Sequence, residues 1–545
     1  MYVAKSTSKA KSGKVYESIL LRESYREGSK VKNRTIANLS ACSKDDIEAI
    51  RLGLKHKEDP KILSKDSFSI IQGRSVGGVF VLKQLADSLG ITKALGDSFQ
   101  AKLVLWLVFA RIIAQGSRLS AVRLALIYDI ASIIDLNRGF DENDFYQSLH
   151  WAAKNQNSIE NSLFKLRRYS GRFYWYDVTS SYFEGTQNAL AAYGHNRDKK
   201  KRKKQVVIGL LSINNGMPVS VEAFAGNTQD TLTVQNQLEK IKSRFGCKNI
   251  VLVGDRGMIR NKQKHLLKEY GFGYVTALTL PEMKSLISAK ILCLDTFTKD
   301  LQSSSHRGKR YIYRRNPGRA LETQRQREER LSTAQRRVDQ ENEKLESKPT
   351  MSAVLAKHRT QQYLKTLCIA EWVGVCVRKR RLRLEIDQER LEEKSKFDGC
   401  YVWTTELSEE EASDLEIFER YKDLKYVEDD FRTFKSNFLE IRPIFVRTAE
   451  STKGHIFITM LAHMIVRELR SKLAEIDMTV EEALRVLGLI CQNSIKCSDA
   501  VTIEMIPEPS KEATNILNAL KITMPKHIKV ATSRVVTKRR TRKVA

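Results

Sequence analysis

Five short runs rich in aromatic and β-branched residues, all between Phe173 and Leu278, constrain this chain more than any other feature. They are Phe173–Tyr176, Val206–Ile213, Val219–Phe224, Ile250–Val253 and Tyr274–Leu278. Runs of this length and composition read as buried strands. Asn214-Asn215-Gly216 is a hairpin-turn signal between the second and third. Between the third and fourth, Thr231–Phe245 has helical spacing and stops at Gly246. The order strand, hairpin, strand, helix, strand, helix, strand predicts a mixed α/β sheet with flanking helices.

At 545 residues the chain is too long for one core. Within residues 1–70, the first 40 or so alternate in a strand-like way, as in Lys14–Leu21 and Arg34–Leu39 around the turn Arg26-Glu27-Gly28-Ser29-Lys30. They read as a small basic β-rich module. Residues 71–170 turn helical, with Leu82, Leu85, Ala86 and Leu89 on one face. Residues 171–280 hold the five runs. The stretch 281–397 is highly charged and reads as helical, because Arg319–Lys348 contains neither Gly nor Pro. Residues 398–475 restore the sheet with a strand at Gly399–Thr404, then a helix from about Ser408 through Leu439. Residues 476–545 read as helices and a basic tail.

Hydrophobic residues make up 41% of the chain, too many for a disordered one. Lys and Arg outnumber Asp and Glu by 94 to 64, a formal net charge of +30. Self-repulsion of that size is relieved by a polyanionic partner, and nucleic acid leads because each neutralised phosphate releases counterions. Met1–Gly13 has no apolar run, so no secretory signal is expected. Leu103–Ala114 and His455–Val466 are too short to span a bilayer. A cytoplasmic, membrane-free protein with reduced, scattered cysteines is expected.

Three carboxylates stand out. Asp177 follows the aromatic run Phe173–Tyr176, and Asp255 follows Val251–Gly254, each at an expected strand end. An Asp there is most often a turn or cap residue. The helix carrying Glu428 shifts the balance. At 100° per residue Tyr421, Leu424, Glu428, Arg432 and Lys435 share about one third of its circumference, beside an apolar stripe of Val427, Phe431, Phe434 and Phe438. The plainer alternative is a solvated face with ordinary salt bridges, Glu428 to Arg432 among them. Oxygen-only ligands suit Mg²⁺, with Mn²⁺ as a substitute, and the absence of clustered His or Cys argues against zinc.

The order Asp177, Asp255, Glu428 across this scaffold resembles the ribonuclease-H-like core of DDE transposases. Tyr421, Glu428 and Lys435 match the spacing of the Tyr-Arg-Glu-Lys motif of bacterial insertion-sequence transposases of the "IS four" superfamily. Tyr176–Ser180, Gly194–Lys199, Gly226-Asn227-Thr228 and Val253–Gly257 match as well, as do Glu23–Arg26 and Thr35–Leu39. The motif's arginine is Leu424 here; Lys425 or Arg432 is the candidate replacement.

The resemblance implies a multidomain transposase whose ribonuclease-H-like sheet is interrupted by an insertion. Its Asp177, Asp255 and Glu428 would hold metal, cleave double-stranded DNA at element ends and join the 3′-OH to target DNA. It implies that Tyr421 and Lys435 grip phosphates, and that a homodimer bridges two ends. Arg256, Arg432 and the basic run Lys199, Lys200, Lys201, Arg202, Lys203 and Lys204 are expected to meet DNA. Two other readings use the same residues: a nuclease that cuts without joining, and a DNA-binding protein with an inactive core. No Gly-x4-Gly-Lys-Ser/Thr loop for nucleoside triphosphates occurs.

Overall fold

The computed structural model describes residues 1–9, 13, 15–55, 68–167, 169, 171–195, 197–198, 200–213, 216–435, 439–441, 444–497 and 501–531. Asn214 and Asn215 of the expected turn, Lys199 of the basic run, Phe438 of the apolar stripe and the end of the basic tail lie outside them. The described residues fall into two compact units. One draws on Met1–Val81, Arg123–Gly139 and Lys472–Val535, the other on Leu82–Val122 and Phe140–Ser471.

In the first unit the alternating N-terminal sequence forms an antiparallel sheet of Tyr2–Lys9, Val15–Glu27 and Lys30–Asn38, followed by the helix Lys44–Lys55. The chain reverses at Gly28, whose φ of 64° favours glycine. Nearly all of Lys30–Asn38 is exposed. A second small sheet pairs Phe68–Ile71 with Asn493–Cys497, which also pairs with Val501–Met505.

The second unit holds an eight-stranded mixed sheet. Its strands are β1 (Phe173–Tyr182), β2 (Gln205–Ile213), β3 (Met217–Ala225), β4 (Val251–Val253), β5 (Gly273–Ala277), β6 (Gln302–His306), β7 (Lys309–Arg315) and β8 (Cys400–Thr405). Their order is β6-β7-β8-β5-β4-β1-β2-β3. The runs β1, β2 and β3 are antiparallel neighbours, whereas β4 lies parallel to both β1 and β5. All nine residues of β2 are buried, which explains its near-continuous apolar sequence.

Alternation along β1 divides its side chains between two faces. Tyr174, Tyr176 and Val178 enter an apolar core with Leu211, Val234, Leu252, Leu267 and Tyr274. That core is covered by α3 (Asp230–Glu239) and α4 (Asn261–Tyr270), and by Phe164 of α2 (Glu142–Leu166), while α1 (Phe99–Ile113) packs against α2. Trp175 and Asp177 belong to the opposite face, where Trp175 Nε1 donates to the Arg420 carbonyl at 2.7 Å.

Three elements differ from expectation. First, β1 does not end at Asp177 but runs on to Tyr182, because β2 is long enough to pair with it as far as Tyr182↔Gln205. Second, the stretch 281–397 is not simply helical. Within it β6 and β7 extend the sheet edge, β7 pairing with β8; their Ser- and Arg-rich sequence hides the strand signal. Beyond β7 come α5 (Pro317–Ser347), α6 (Ala353–Thr366) and a hairpin of Val373–Arg378 with Arg381–Ile386. Val338, Leu345, Leu364 and Trp372 give this part its own apolar core, so one stripe of the charged helix α5 is buried.

Third, the helix expected from Ser408 through Leu439 is broken. It forms α7 (Asp414–Lys422) and α8 (Leu424–Lys435), capped at the start by Ser413, which accepts from Glu416 N–H. At the break Asp423 accepts from Tyr426 N–H at 2.9 Å, a tight turn in place of the helical ladder. Its carboxylate pairs with Arg420 at 3.3 Å. The long helix α9 (Ala449–Leu473) follows. Among the described residues no single helix is long and apolar enough to cross a membrane.

Candidate active site

The sheet register decides where the first two carboxylates stand. Trp175 of β1 is in register with Val253 of β4. Asp177 therefore lies two residues beyond that pair within β1, and Asp255 two residues beyond it in the turn that leaves β4, where adjacent strands stand about 4.8 Å apart. There β4 stops while β1 continues, and the missing neighbour opens a cleft. The cleft, of about 370 Å³, is lined by Asp177, Asp255 and Glu428, together with Arg197, Asp230, Arg432 and Lys435. Glu428 arrives on α8, which buries Val427, Phe431 and Phe434 and leaves Glu428 and Arg432 exposed.

The side chains are tied in pairs. Asp177 Oδ1 accepts from Val178 N–H at 2.7 Å, and Asp255 Oδ1 accepts from Arg256 N–H at 2.7 Å. Tyr421 donates its hydroxyl to Asp255 Oδ1 at 3.5 Å. Burial, with the charges of Asp255 and Asp230, pushes the Asp177 carboxyl up to about 7; the Val178 N–H and Arg197 oppose the shift. Burial and the Asp255 charge also push the Tyr421 phenol up, so it stays a hydrogen-bond donor near neutral pH.

Sequence reasoning missed Asp230 and the part played by Arg197 and Asp198. Arg197 Nη2 pairs with Asp230 Oδ2 at 2.5 Å. Lys435 Nζ lies 3.0 Å from Asp198 Oδ1, and the other oxygen of Asp198 accepts from Tyr182 N–H at 3.0 Å. The available signal was the polar word Gly194–Lys199 together with Gly226–Asp230, two loops that the sheet brings into contact. A Cβ on Gly194 would stand 2.1 Å from the Gly226 carbonyl oxygen, and one on Gly226 would stand 1.9 Å from that of Gln205.

Other expected residues sit differently. Arg432 pairs with Asp429 at 3.0 Å, not with Glu428. Leu424 is buried where α8 begins. Lys425 is exposed, 5.0 Å from the ring of its neighbour Tyr426, and takes no part in the cleft lining. Of the described part of the basic run, Lys200 to Lys204, no residue lines the cleft. Lys203 pairs with Glu184 at 2.7 Å, Lys200 lies over the Tyr182 ring, and Lys201 and Arg202 are exposed. Arg256 is exposed beside Asp255.

Asp177, Asp255 and Glu428 line one cleft without closing on one another: among the described residues no group of three or more His, Cys, Asp or Glu side chains is gathered tightly enough to hold a metal ion. α8 is anchored from behind by Asp430, buried against His463 Nε2 at 2.8 Å and against Arg467.

Two family models match the chain. Residues 168–465 match the transposase DDE domain, and residues 3–63 match the N-terminal domain of the IS1634 family transposases. No curated protein matches the chain. Among solved structures it is similar to a cryo-EM structure of a piggyBac transposase synaptic complex with hairpin DNA. That likeness has 7% identity and a TM-score of 0.37, covering 72% of this chain and 70% of the other. The chain belongs to the insertion-sequence DDE transposases, divalent-metal-dependent enzymes that cleave DNA and transfer its strands.

Proposed function

We propose that Asp177, Asp255 and Glu428 are the catalytic carboxylates of this transposase, with Mg²⁺ as the working ion and Mn²⁺ able to replace it. The observation that carries the reading is that Asp177 on β1 and Asp255 just past the end of the parallel neighbour β4 line one cleft with Glu428. The donor set fits a hard cation, because all three groups offer carboxylate oxygens. Burial, with the charges of Asp255 and Asp230 behind it, leaves Asp177 raised to about 7, a cost that a bound cation would offset. When bound, two such ions activate the attacking oxygen and stabilise the leaving one in an in-line displacement.

The protein's own side chains then hold the DNA. Lys435, fixed by Asp198, and Arg432 supply positive charge to the phosphodiester, and Tyr421 donates a hydrogen bond at the rim beside Asp255. Arg432 lines the cleft and Lys425 does not, so Arg432 takes the place of the motif's missing arginine. Arg256 and Lys200 to Lys204, which do not line the cleft, serve the flanking backbone, as does Lys199 of the same run.

In this reading the antiparallel strands β1 to β3 and the parallel β4 and β5 form a ribonuclease-H-like core of the "IS four" type. Residues 171–280 and 398–475 make up that core, split by 281–397. Residues 1–70 recognise element ends, 71–170 form the helical lobe and 476–545 the basic tail. Two copies bridge the two ends. The test is Mg²⁺-dependent cleavage of a duplex carrying the flanks of this protein's own gene. Wild type should cut and join, while Asp177→Asn, Asp255→Asn and Glu428→Gln should bind without cutting. Cutting by any of the three variants at the wild-type rate would remove that residue from the set, and cutting without joined products would make the chain a nuclease.

A further inference from the structure

A second cavity, of about 800 Å³, lies in the same unit as the cleft and is lined by residues to which nothing above gives a role. Its charge comes from Arg111 at the end of α1, Arg118 just after it, and Arg447 ahead of α9. Glu142 and Glu440 also line it, so three arginines face two glutamates.

The arginines are under-used. Arg111 Nη1 donates to the Leu439 carbonyl at 3.5 Å, and Arg118 Nη2 donates to the Gly116 carbonyl at 3.4 Å. Both contacts are long, and each guanidinium has five N–H donors. Among the described residues neither arginine has a carboxylate within ion-pair distance. Burial, then the charge of Arg118, lowers Arg111 to about 10; burial lowers Arg118 as well, against the nearby Tyr146 and Glu142. Both remain charged at neutral pH. Buried His455, on α9, faces the same two arginines and is held well below its ordinary pKa by burial and by them, so it adds no charge.

The N-terminus of α9 forms part of the wall. His150 Nε2 lies 2.8 Å from Ser451 Oγ and 3.1 Å from Thr448 Oγ1 in the cavity wall, at the first turn of a 25-residue helix. Thr448 Oγ1 accepts from the Ser451 N–H at 3.0 Å and Glu450 stands in the same first turn, so the positive charge of the site rests on the arginines. The wall is also formed by the stretch that follows Lys435 along the chain, including Glu440 and Phe445–Thr448.

We propose that this cavity seats a phosphate of the DNA backbone, held by Arg111, Arg118 and Arg447 at the N-terminus of α9. A phosphodiester carries one negative charge and accepts several hydrogen bonds, which matches the excess of one arginine and the unused donors. The proposal needs only that the chain binds DNA, and not that Asp177, Asp255 and Glu428 cut it.

The test uses the full chain carrying Asp255→Asn, which keeps strands intact, and a duplex with the flanks of its own gene. Binding is followed by fluorescence anisotropy over a salt series, with Arg118→Met and, at an exposed position that tolerates change, Arg447→Met. Each is expected to weaken binding about tenfold and to flatten the salt dependence by about one phosphate contact. Replacing single phosphates of the duplex with neutral methylphosphonates should then cost affinity at one position in the parent and nothing there in Arg447→Met. Unchanged affinity and slope in folded Arg447→Met would overturn the proposal. So would inorganic phosphate that binds the parent at these arginines and is not displaced by the duplex, which would make the cavity a site for free phosphate. Every readout is binding, so a failure of the carboxylate assignment would show separately, in the cleavage assay.

Discussion

Lys435 Nζ stands 3.0 Å from Asp198 Oδ1, and Asp198 is almost wholly buried, with 1% of its side chain exposed. The pair joins the last turn of α8 to the loop that follows β1, so the lysine expected to grip phosphate is first of all fixed to the scaffold. Removing one member of a buried pair leaves the other uncompensated. Asp198→Ala should therefore cost about 3 kcal/mol in urea unfolding. Asp198→Ala combined with Lys435→Met should cost less than the sum of the single changes. Strict additivity would show that the two groups do not interact in solution.

Asp177 makes a pH-dependent prediction for the metal-free protein. Its carboxyl is raised to about 7 in the folded chain, against the ordinary 3.8. The unfolded chain thus loses this proton first, and stability falls as pH rises from about 4 to about 7, then levels off. Asp177→Asn removes that loss. With EDTA present it should be more stable than wild type at pH 7.5, by up to about 4 kcal/mol, and no different near pH 4. A divalent cation should raise the melting temperature of wild type and not of the variant. A wild-type advantage at pH 7.5 without metal would contradict the burial argument.

The buried Leu424 shifts the DNA-binding role along α8. Arg432→Ala is expected to reduce strand transfer about tenfold, as loss of one phosphate contact would. Lys425→Ala should leave it unchanged. Assays of joined product under single-turnover conditions decide the matter; equal rates for wild type and Arg432→Ala would exclude Arg432.

Gly226 is where two backbones approach too closely for any side chain. A Cβ there would sit 1.9 Å from the Gln205 carbonyl oxygen and 2.6 Å from that of Ala192. Gly226→Ala must push the 190–197 loop off β2, taking Arg197 away from the cleft. We expect a loss of about 2–4 kcal/mol in stability and weaker cleavage by the variant that remains folded. A melting temperature within about 1 °C of wild type would show that the loop adapts.

Much of the architecture was legible because it is written in local periodicity. The five core runs, the Gly28 reversal, the long helix α5 and the apolar stripe of Val427, Phe431 and Phe434 each follow from short-range patterns of apolar and turn residues. What was not legible came from partners far along the chain. The run beginning at Phe173 looked like a strand ending at Asp177, because only its distant partner Gln205–Ile213 carries it on to Tyr182. The polar strands β6 and β7 carry little apolar signal, and β7 joins the sheet by pairing with β8, which lies beyond three helices and a hairpin.

The sequence by itself determined the chemistry on offer: oxygen-only carboxylates, a basic chain suited to DNA, and the motif words that place the family. Only the tertiary structure decided which of those groups meet. Register between β1 and β4 aligned Asp177 with Asp255, α7 carried Tyr421 to Asp255, and the loop between β1 and β2 brought Arg197 to the cleft and Asp198 to Lys435. The reason is physical. Side-chain chemistry belongs to single residues, whereas strand register and close backbone approach depend on pairings between segments that no local pattern encodes.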